Sequence, residues 1–142
     1  MREILFRGKD LQGQNGWLYG YFYKSDINKR ERESGKATLI FTPNCDTFIY
    51  VPEYHNSWMV KSETVGQYTG LTDTNGTRIF EGDIVTCDYF CGVVNFYEGT
   101  WCVTEEDNYH DYLYDVIDLK IIGNIHDNPE LLKGEQKNET TT

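Results

Sequence analysis

The sequence predicts a mainly β fold with little helix: a small SH3-like β-barrel in the C-terminal half, with additional N-terminal strands packed on it. Three observations predict it. Short runs rich in Val, Ile, Tyr, Phe and Trp recur at close spacing along the chain, which is the composition of half-buried strands. Two-residue turn signals, Asn75-Gly76 and Glu98-Gly99, stand between such runs. Finally, Gly82-Asp83-Ile84-Val85 is followed by Gly92-Val93-Val94 and then a hairpin, an order that suits a small barrel with a sharp glycine turn before a strand.

Taken in order, Ile4 to Phe6 opens a short strand and Trp17 to Tyr23 forms a longer one. Alternation puts Trp17, Tyr19, Tyr21 and Tyr23 on one face and Leu18 and Phe22 on the other. Lys24 is the only adjoining cation in sequence, so the tyrosine face is expected to be buried rather than to stack nucleic-acid bases. Residues 24–36 are polar without apolar period and read as an exposed loop. Ala37 to Phe41 and Thr47 to Val51 read as strands around the Thr42–Asp46 turn. Val51 to Ser62 is open between strand and a helical turn. Gln67 to Leu71 and Ile79-Phe80 read as strands around Asn75-Gly76, which can supply the two positive φ angles of a type I′ turn.

A strand through Cys87 follows. Gly92 to Tyr97 and Thr100 to Thr104 flank Glu98-Gly99, and Tyr112 to Ile117 and Leu119 to Ile125 complete the set. Asp127 to Leu132 fits one helical turn, with Asn128 as N-cap, Pro129 in the first helical position and Glu130 favoured by the helix dipole. Residues 133–142 are expected to be disordered. The organisation is therefore a single domain over 1–132, made of an N-terminal β region (1–63), a barrel-like region (64–126) and the helical turn (127–132).

Composition excludes several classes. The 142 residues are 39% hydrophobic and 15% aromatic, too apolar for a disordered chain. No apolar run approaches the ~20 residues that span a bilayer. The N-terminus lacks the apolar core of a secretory signal, so the expected location is the cytoplasm. The net charge is -10, and an acidic surface repels phosphate, so nucleic acid is not the expected partner. The charge is also uneven. Residues 1–71 carry nine Lys or Arg against eight Asp or Glu, whereas residues 72–142 carry four against fifteen. Such asymmetry on a folded surface signals a partner.

The chemistry-bearing residues offer few constellations. Cys45, Cys87, Cys91 and Cys102 are too sparse for a disulfide framework and lack a C-x2-C knuckle. Cys87 and Cys102 fall in apolar runs and read as buried thiols. His55, His110 and His126 sit among polar residues and read as surface histidines. No nucleophile elbow, P-loop or dinucleotide fingerprint is present. No cofactor and no catalytic set is implied.

From Glu98 to Asp118 there are seven acids and no Lys or Arg, interleaved with Tyr109, Tyr112 and Tyr114. A solubilising edge is the simplest reading. A negative face for a basic protein partner is the functional one, centred on Glu105, Glu106, Asp107 and Asp111; divalent metal is a third. The enzyme alternative is a hydrolase or nucleic-acid-modifying site built from Asp83, His110 and the nearby acids. A cationic loop at Lys29, Arg30, Arg32 and Lys36 also holds Glu31 and Glu33, so its net charge is small. The large aromatic inventory predicts a homo-oligomer.

The run Val65-Gly66-Gln67-Tyr68-Thr69-Gly70-Leu71, then Asp73, Asn75-Gly76 and Ile79-Phe80-Glu81-Gly82-Asp83-Ile84-Val85, closely resembles the signature of the YopX family of small phage and prophage proteins. Met1 to Arg7, Gly92-Val93-Val94 and the closing Ile122-Gly123-Asn124-Ile125-His126-Asp127-Asn128-Pro129 agree with it. Gly8-Lys9-Asp10 departs from the Ala-Trp-Asp common in the family. The resemblance implies a mostly β fold and a mobile-element origin, but no defined activity. Its motif residues are Gly66, Gln67, Tyr68, Thr69, Gly70, Asn75, Gly76, Glu81, Gly82, Asp83, Gly123 and Asn124. They serve either turns or binding, and the turn reading fits them better.

Overall fold

The computed structural model describes residues 3–25 and 46–132, and among these it has eleven short strands. The expected strand at 37–41, the loop cations from Lys29 to Lys36, Cys45 and the tail beyond 132 lie outside the described residues. The chain divides into two compact units, one from Ile4 to Gln67 and the other from Tyr68 onward together with Glu3. All strand pairing is antiparallel.

In the N-terminal unit, β1 (Phe6–Lys9), β2 (Trp17–Lys24), β3 (Thr47–Val51) and β4 (Asn56–Met59) form a meander in which each strand pairs with the next. Gly66 and Gln67, which open β5 (Gly66–Thr72), add to the free side of β1. The opening strand thus sits two residues later than expected. Its position is fixed by its registers, in which Phe6 pairs with Gly20 and Lys9 with Trp17. Asp10 then stops it. This buried carboxylate accepts hydrogen bonds from the backbone of Gln12 and Asn15 and from the Asn15 side chain, which folds the β1–β2 loop around it. The ambiguous stretch after Val51 resolves into a 3-10 turn (Pro52–Tyr54), β4 and a second 3-10 turn (Ser62–Thr64).

One face of this sheet carries the unit's core. Leu18, Ile49, Val51 and Val60 are buried, with Phe6, Phe22, Trp58 and Val65 packed against them. Fully burying a side chain such as Ile49 contributes about 1.5–3 kcal/mol. The opposite face was expected to be covered, but Tyr19, Tyr21 and Tyr23 are exposed. The reason is that the apolar alternation Leu18, Phe22 supplies only one core layer, and the tyrosines fall on the other side of the pleat.

In the C-terminal unit, β7 (Asp83–Thr86), β8 (Cys91–Tyr97), β9 (Thr100–Thr104) and β10 (His110–Tyr112) form a second meander, and β11 (Lys120–Asn124) returns to pair with β7. The order β10-β9-β8-β7-β11 leaves β10 and β11 as edges, so this sheet is not a closed barrel. Ile79, Val85, Val94, Val103, Leu113 and Leu119 form its core. The remainder of β5 makes a hairpin with β6 (Arg78–Phe80). The expected strand Tyr112 to Ile117 is a 3-10 turn, Leu113–Asp115, that plants Leu113 in the core.

The two hairpin signals behave differently. Glu98 (φ 49°) and Gly99 (φ 82°) both take positive φ between paired Tyr97 and Thr100, as a two-residue turn requires. At Asn75-Gly76 only Gly76 does. Asp73 explains the difference: its carboxylate accepts from the backbone of Asn75 and Thr77, closing a wider loop. After Asn128, residues 130–132 are helical. The Asn128 side chain does not cap them; its Oδ1 accepts from Asn124 N at 3.3 Å. No helix among the described residues is long and apolar enough to cross a membrane.

Candidate functional site

The acidic segment falls on the outermost hairpin of the C-terminal unit. Strand β9 ends at Thr104, the chain turns through Glu105–Tyr109, and β10 pairs back with Thr104 opposite His110 and Cys102 opposite Tyr112. The turn is closed by Glu105 N donating to Tyr109 O and Asn108 N donating to Glu105 O, with Asn108 at φ 65°. Asp107 Oδ1 accepts from Tyr109 N. Two of the four acids expected to act together are brought into direct contact: Glu105 is hydrogen-bonded to Asp111 through their side chains. Glu106 and Asp107 point from the exposed tip.

Burial raises the Glu105 carboxyl above its ordinary value, and the Asp111 hydrogen bond and the charges of Asp111 and Asp107 push it further. Two carboxyls this close ionise together only at a cost. The pair is therefore a site at which an incoming cation would relieve repulsion.

Aromatic surface surrounds the acids. Tyr109, Tyr112, Tyr114 and Ile117 are exposed, and the rings of Tyr112 and Tyr114 stack at 5.6 Å. A groove of about 600 Å³ runs beside the hairpin tip, lined by Tyr89, Phe90 and Val93 on one side and Glu105, Glu106 and Asp107 on the other. His110 is held rather than solvated. Its ring stacks on Tyr97 with centroids 3.9 Å apart. The Thr104 hydroxyl donates to Asn95 Oδ1 at 2.7 Å and lies 2.8 Å from His110 Nδ1. Because the single hydroxyl proton serves Asn95, His110 Nδ1 donates to Thr104.

Asp83 and His110 are not brought together. Asp83 lies in β7 and His110 in β10, with β8 and β9 between them, a separation of roughly 14 Å at ~4.8 Å per strand. Asp83 is buried and its Oδ2 accepts from Phe80 N at 2.7 Å across the Glu81-Gly82 turn. Among the described residues no three His, Cys, Asp or Glu side chains gather as metal ligands. Cys102 is buried, and burial followed by the charges of Glu98 and Asp111 raises its thiol. Cys87 lies beyond the end of β7 and is half-buried, not in the core as its neighbours suggested.

The other motif residues are distributed along turns. Gly66 and Gln67 pair with Arg7 and Phe6. Tyr68 packs on Phe80 under the Arg78 guanidinium. Thr69 donates its hydroxyl to Ile79 O, and Gly70 takes φ 89° where β5 slips register against β6. Asn124 Oδ1 accepts from His126 N and Asp127 N, while its amide donates to Asp127 Oδ2. Gly123 lies where a Cβ would come within 2.6 Å of Asn128 Oδ1.

Sequence reasoning missed the Glu105–Asp111 contact and the exposed Tyr89 and Ile117. The strand register that brings Glu105 and Asp111 together is set by Asn108 in positive φ, and Asn six residues before Tyr114 was the one available signal.

The comparisons with known proteins follow from the whole chain. The structure is similar to the crystal structure of protein EF1440 from Enterococcus faecalis, with 22% sequence identity and a TM-score of 0.46, covering 93% of this chain and 99% of that one. No curated protein matches the sequence. The family profile described as YopX protein matches residues 5–133, nearly the whole length. The chain belongs to the YopX family.

Proposed function

We propose that this protein is a non-enzymatic interaction module of a phage or prophage, working in the bacterial cytoplasm, that docks a basic protein on the β9–β10 edge. The observation that carries the reading is the exposed Tyr109, Tyr112 and Tyr114 set among seven acids, with no Lys or Arg between Glu98 and Asp118. Exposed tyrosines supply contact area at low entropic cost. The surrounding carboxylates steer a cationic partner and reject an anionic one. The Glu105–Asp111 pair adds a concentration of negative charge for a partner Lys or Arg to meet.

No observation favours the hydrolase alternative, because Asp83 is bonded to the Phe80 backbone and two strands lie between it and His110. We read the return of β11 to β7 after a 3-10 turn as the connection of an SH3-like barrel left open at β10. Self-association belongs to the same proposal, and light scattering giving a mass near 16.6 kDa at high concentration would remove that part of it.

Binding to a Lys/Arg-rich peptide tests the docking surface. Tyr112→Ala with Tyr114→Ala should weaken binding about tenfold or more, whereas Glu53→Gln with Glu63→Gln, which changes charge on the other unit, should leave it unchanged. Equal loss in both variants would mean that bulk charge alone attracts the peptide.

A further inference from the structure

We propose that the outer edge of β10 takes up an extended basic segment as an added antiparallel strand, with a Lys or Arg of that segment opposite Asp111. The proposal rests on the reading of the β9–β10 edge as a dock for a basic protein, and it names the form that the partner takes there. Strand addition to an open sheet edge gives affinity through main-chain hydrogen bonds and specificity through alternate side chains. Both are traceable at β10.

The pairing of β9 with β10 decides which backbone groups are available. Antiparallel pairs alternate between those that exchange hydrogen bonds and those that do not. Glu105 N donates to Tyr109 O, so that pair is of the first kind. Asp111 opposite Val103 is then of the first kind again, whereas His110 opposite Thr104 and Tyr112 opposite Cys102 are of the second. The His110 N–H and C=O and the Tyr112 N–H are therefore turned away from β9. β10 is the last strand of its sheet, and among the described residues no backbone partner meets these groups. Tyr112 is half exposed, so the edge is open to solvent.

The side chains along the edge set the chemistry of the incoming strand. A residue added opposite Asp111 forms a non-hydrogen-bonded pair, the kind in which side chains approach most closely, with Cα atoms ~4.5 Å apart. Asp111 is hydrogen-bonded to Glu105, so a Lys or Arg at that position meets two carboxyls. Tyr109 shares the Asp111 face of the strand and its ring is exposed. A second cation two residues away on the added strand lies beside this ring, which attracts it. His110 and Tyr112 take the other face, where their rings are already stacked on Tyr97 and Tyr114. The intervening residues of the added strand fall on that aromatic side, which suits a β-branched apolar side chain. The pattern recognised is thus Lys or Arg alternating with residues such as Val.

Charge selects this occupant over a second copy of the chain. Open edges also pair with copies of themselves, but two β10 strands side by side would set the Asp111 and Glu105 of one chain against those of the other. Like charges facing each other across a sheet destabilise it, and no Lys or Arg between Glu98 and Asp118 offsets them. β10 is only three residues long, so the main-chain bonds are few and the charges decide which strand is accepted.

The test uses the full chain and a fluorescein-labelled peptide of about six residues in which Lys alternates with Val, with binding followed by anisotropy. Two further peptides carry the same charge, one N-methylated at the Val amides and the other at the Lys amides. With Lys opposite Asp111, the Val N–H groups point at β10 and the Lys N–H groups point away from it. Methylating Val should therefore weaken binding about tenfold or more, and methylating Lys should leave it unchanged. The protein is native throughout, so a folding defect cannot mimic the result. If the unmethylated peptide binds and the two methylations have equal effects, strand addition is overturned while the dock for a basic protein stands. If the unmethylated peptide does not bind, both fall. A dimer by light scattering that the peptide dissociates would assign the edge to a second copy and overturn the proposal as well.

Discussion

Glu105 and Asp111 hydrogen-bond carboxyl to carboxyl across the turn that joins β9 to β10. Burial raises the Glu105 carboxyl, and the hydrogen bond and charge of Asp111 raise it further. The raised folded value makes the contribution to stability full below the ordinary glutamate pKa of about 4.3 and lost as pH climbs through the folded value. Glu105→Gln keeps a hydrogen-bond donor toward Asp111 at every pH. It should raise stability at neutral pH by at most about 1 kcal/mol and flatten the mildly acidic limb of the stability profile. Urea titrations of both proteins across that range check this; a parallel pair of profiles would contradict it.

Asp73 titrates in the opposite sense. Burial would raise its carboxyl, but backbone donors from Thr77, Ile121 and Asn75 outweigh it and hold it below its ordinary value. Stability from this group is present above the unfolded aspartate value of about 3.9 and is lost as pH falls through the folded one. Asp73→Asn should cost about 1–3 kcal/mol, because its amide presents a donor where Oδ1 or Oδ2 now accepts. The denaturation midpoint near neutral pH measures it, and an unchanged midpoint would show the loop to be held otherwise.

Gly123→Ala should destabilise by about 1–3 kcal/mol. Its Cβ would meet Asn128 Oδ1 at 2.6 Å and Leu131 Cδ1 at 2.9 Å, breaking the Asn128–Asn124 contact that folds the closing motif. Gly76→Ala meets nothing within 4 Å and pays only the positive-φ strain, about 1 kcal/mol. Thermal unfolding of the two variants should rank them in that order.

Much of this architecture is legible in the residues, and the exceptions have local causes. Thr47–Val51 and Thr100–Thr104 are strands at their expected bounds because apolar alternation and turn residues agree there. Glu98-Gly99 is a two-residue turn because nothing nearby competes. Asn75-Gly76 is not, because Asp73 two residues earlier captures the loop amides. The tyrosine face of β2 was legible as an alternation, but the cations beside it, Arg7 and Lys9, were not, because they are paired across a strand and not adjacent in the chain. The Glu105–Asp111 contact was hidden for the same reason, since a register depends on the turn between two strands.

Thiol labelling separates Cys102 from its neighbours. Cys102 is 1% exposed in the sheet and its thiol is raised by burial, so it should resist a thiol reagent until the protein unfolds. Half-buried Cys87 and Cys91 should label first. Mass spectrometry of peptides from the native protein resolves the three sites; early labelling of Cys102 would contradict the packing described.

The most direct measurement for the docking surface is the association rate with a Lys/Arg-rich peptide as salt rises, for the native protein and for Glu105→Gln, Glu106→Gln, Asp107→Asn combined. As the Debye length shrinks from ~30 Å at 0.01 M to ~8 Å at 0.15 M, the native rate should fall steeply. The triple variant should associate slowly at low salt and respond weakly to added salt, with its thermal midpoint no lower than the native one, because the exposed charges of Glu106 and Asp107 contribute little to stability and Glu105→Gln removes a repulsion with Asp111. Rates that are the same for both proteins at every salt concentration would contradict the account and leave these acids as residues that only keep the β10 edge soluble.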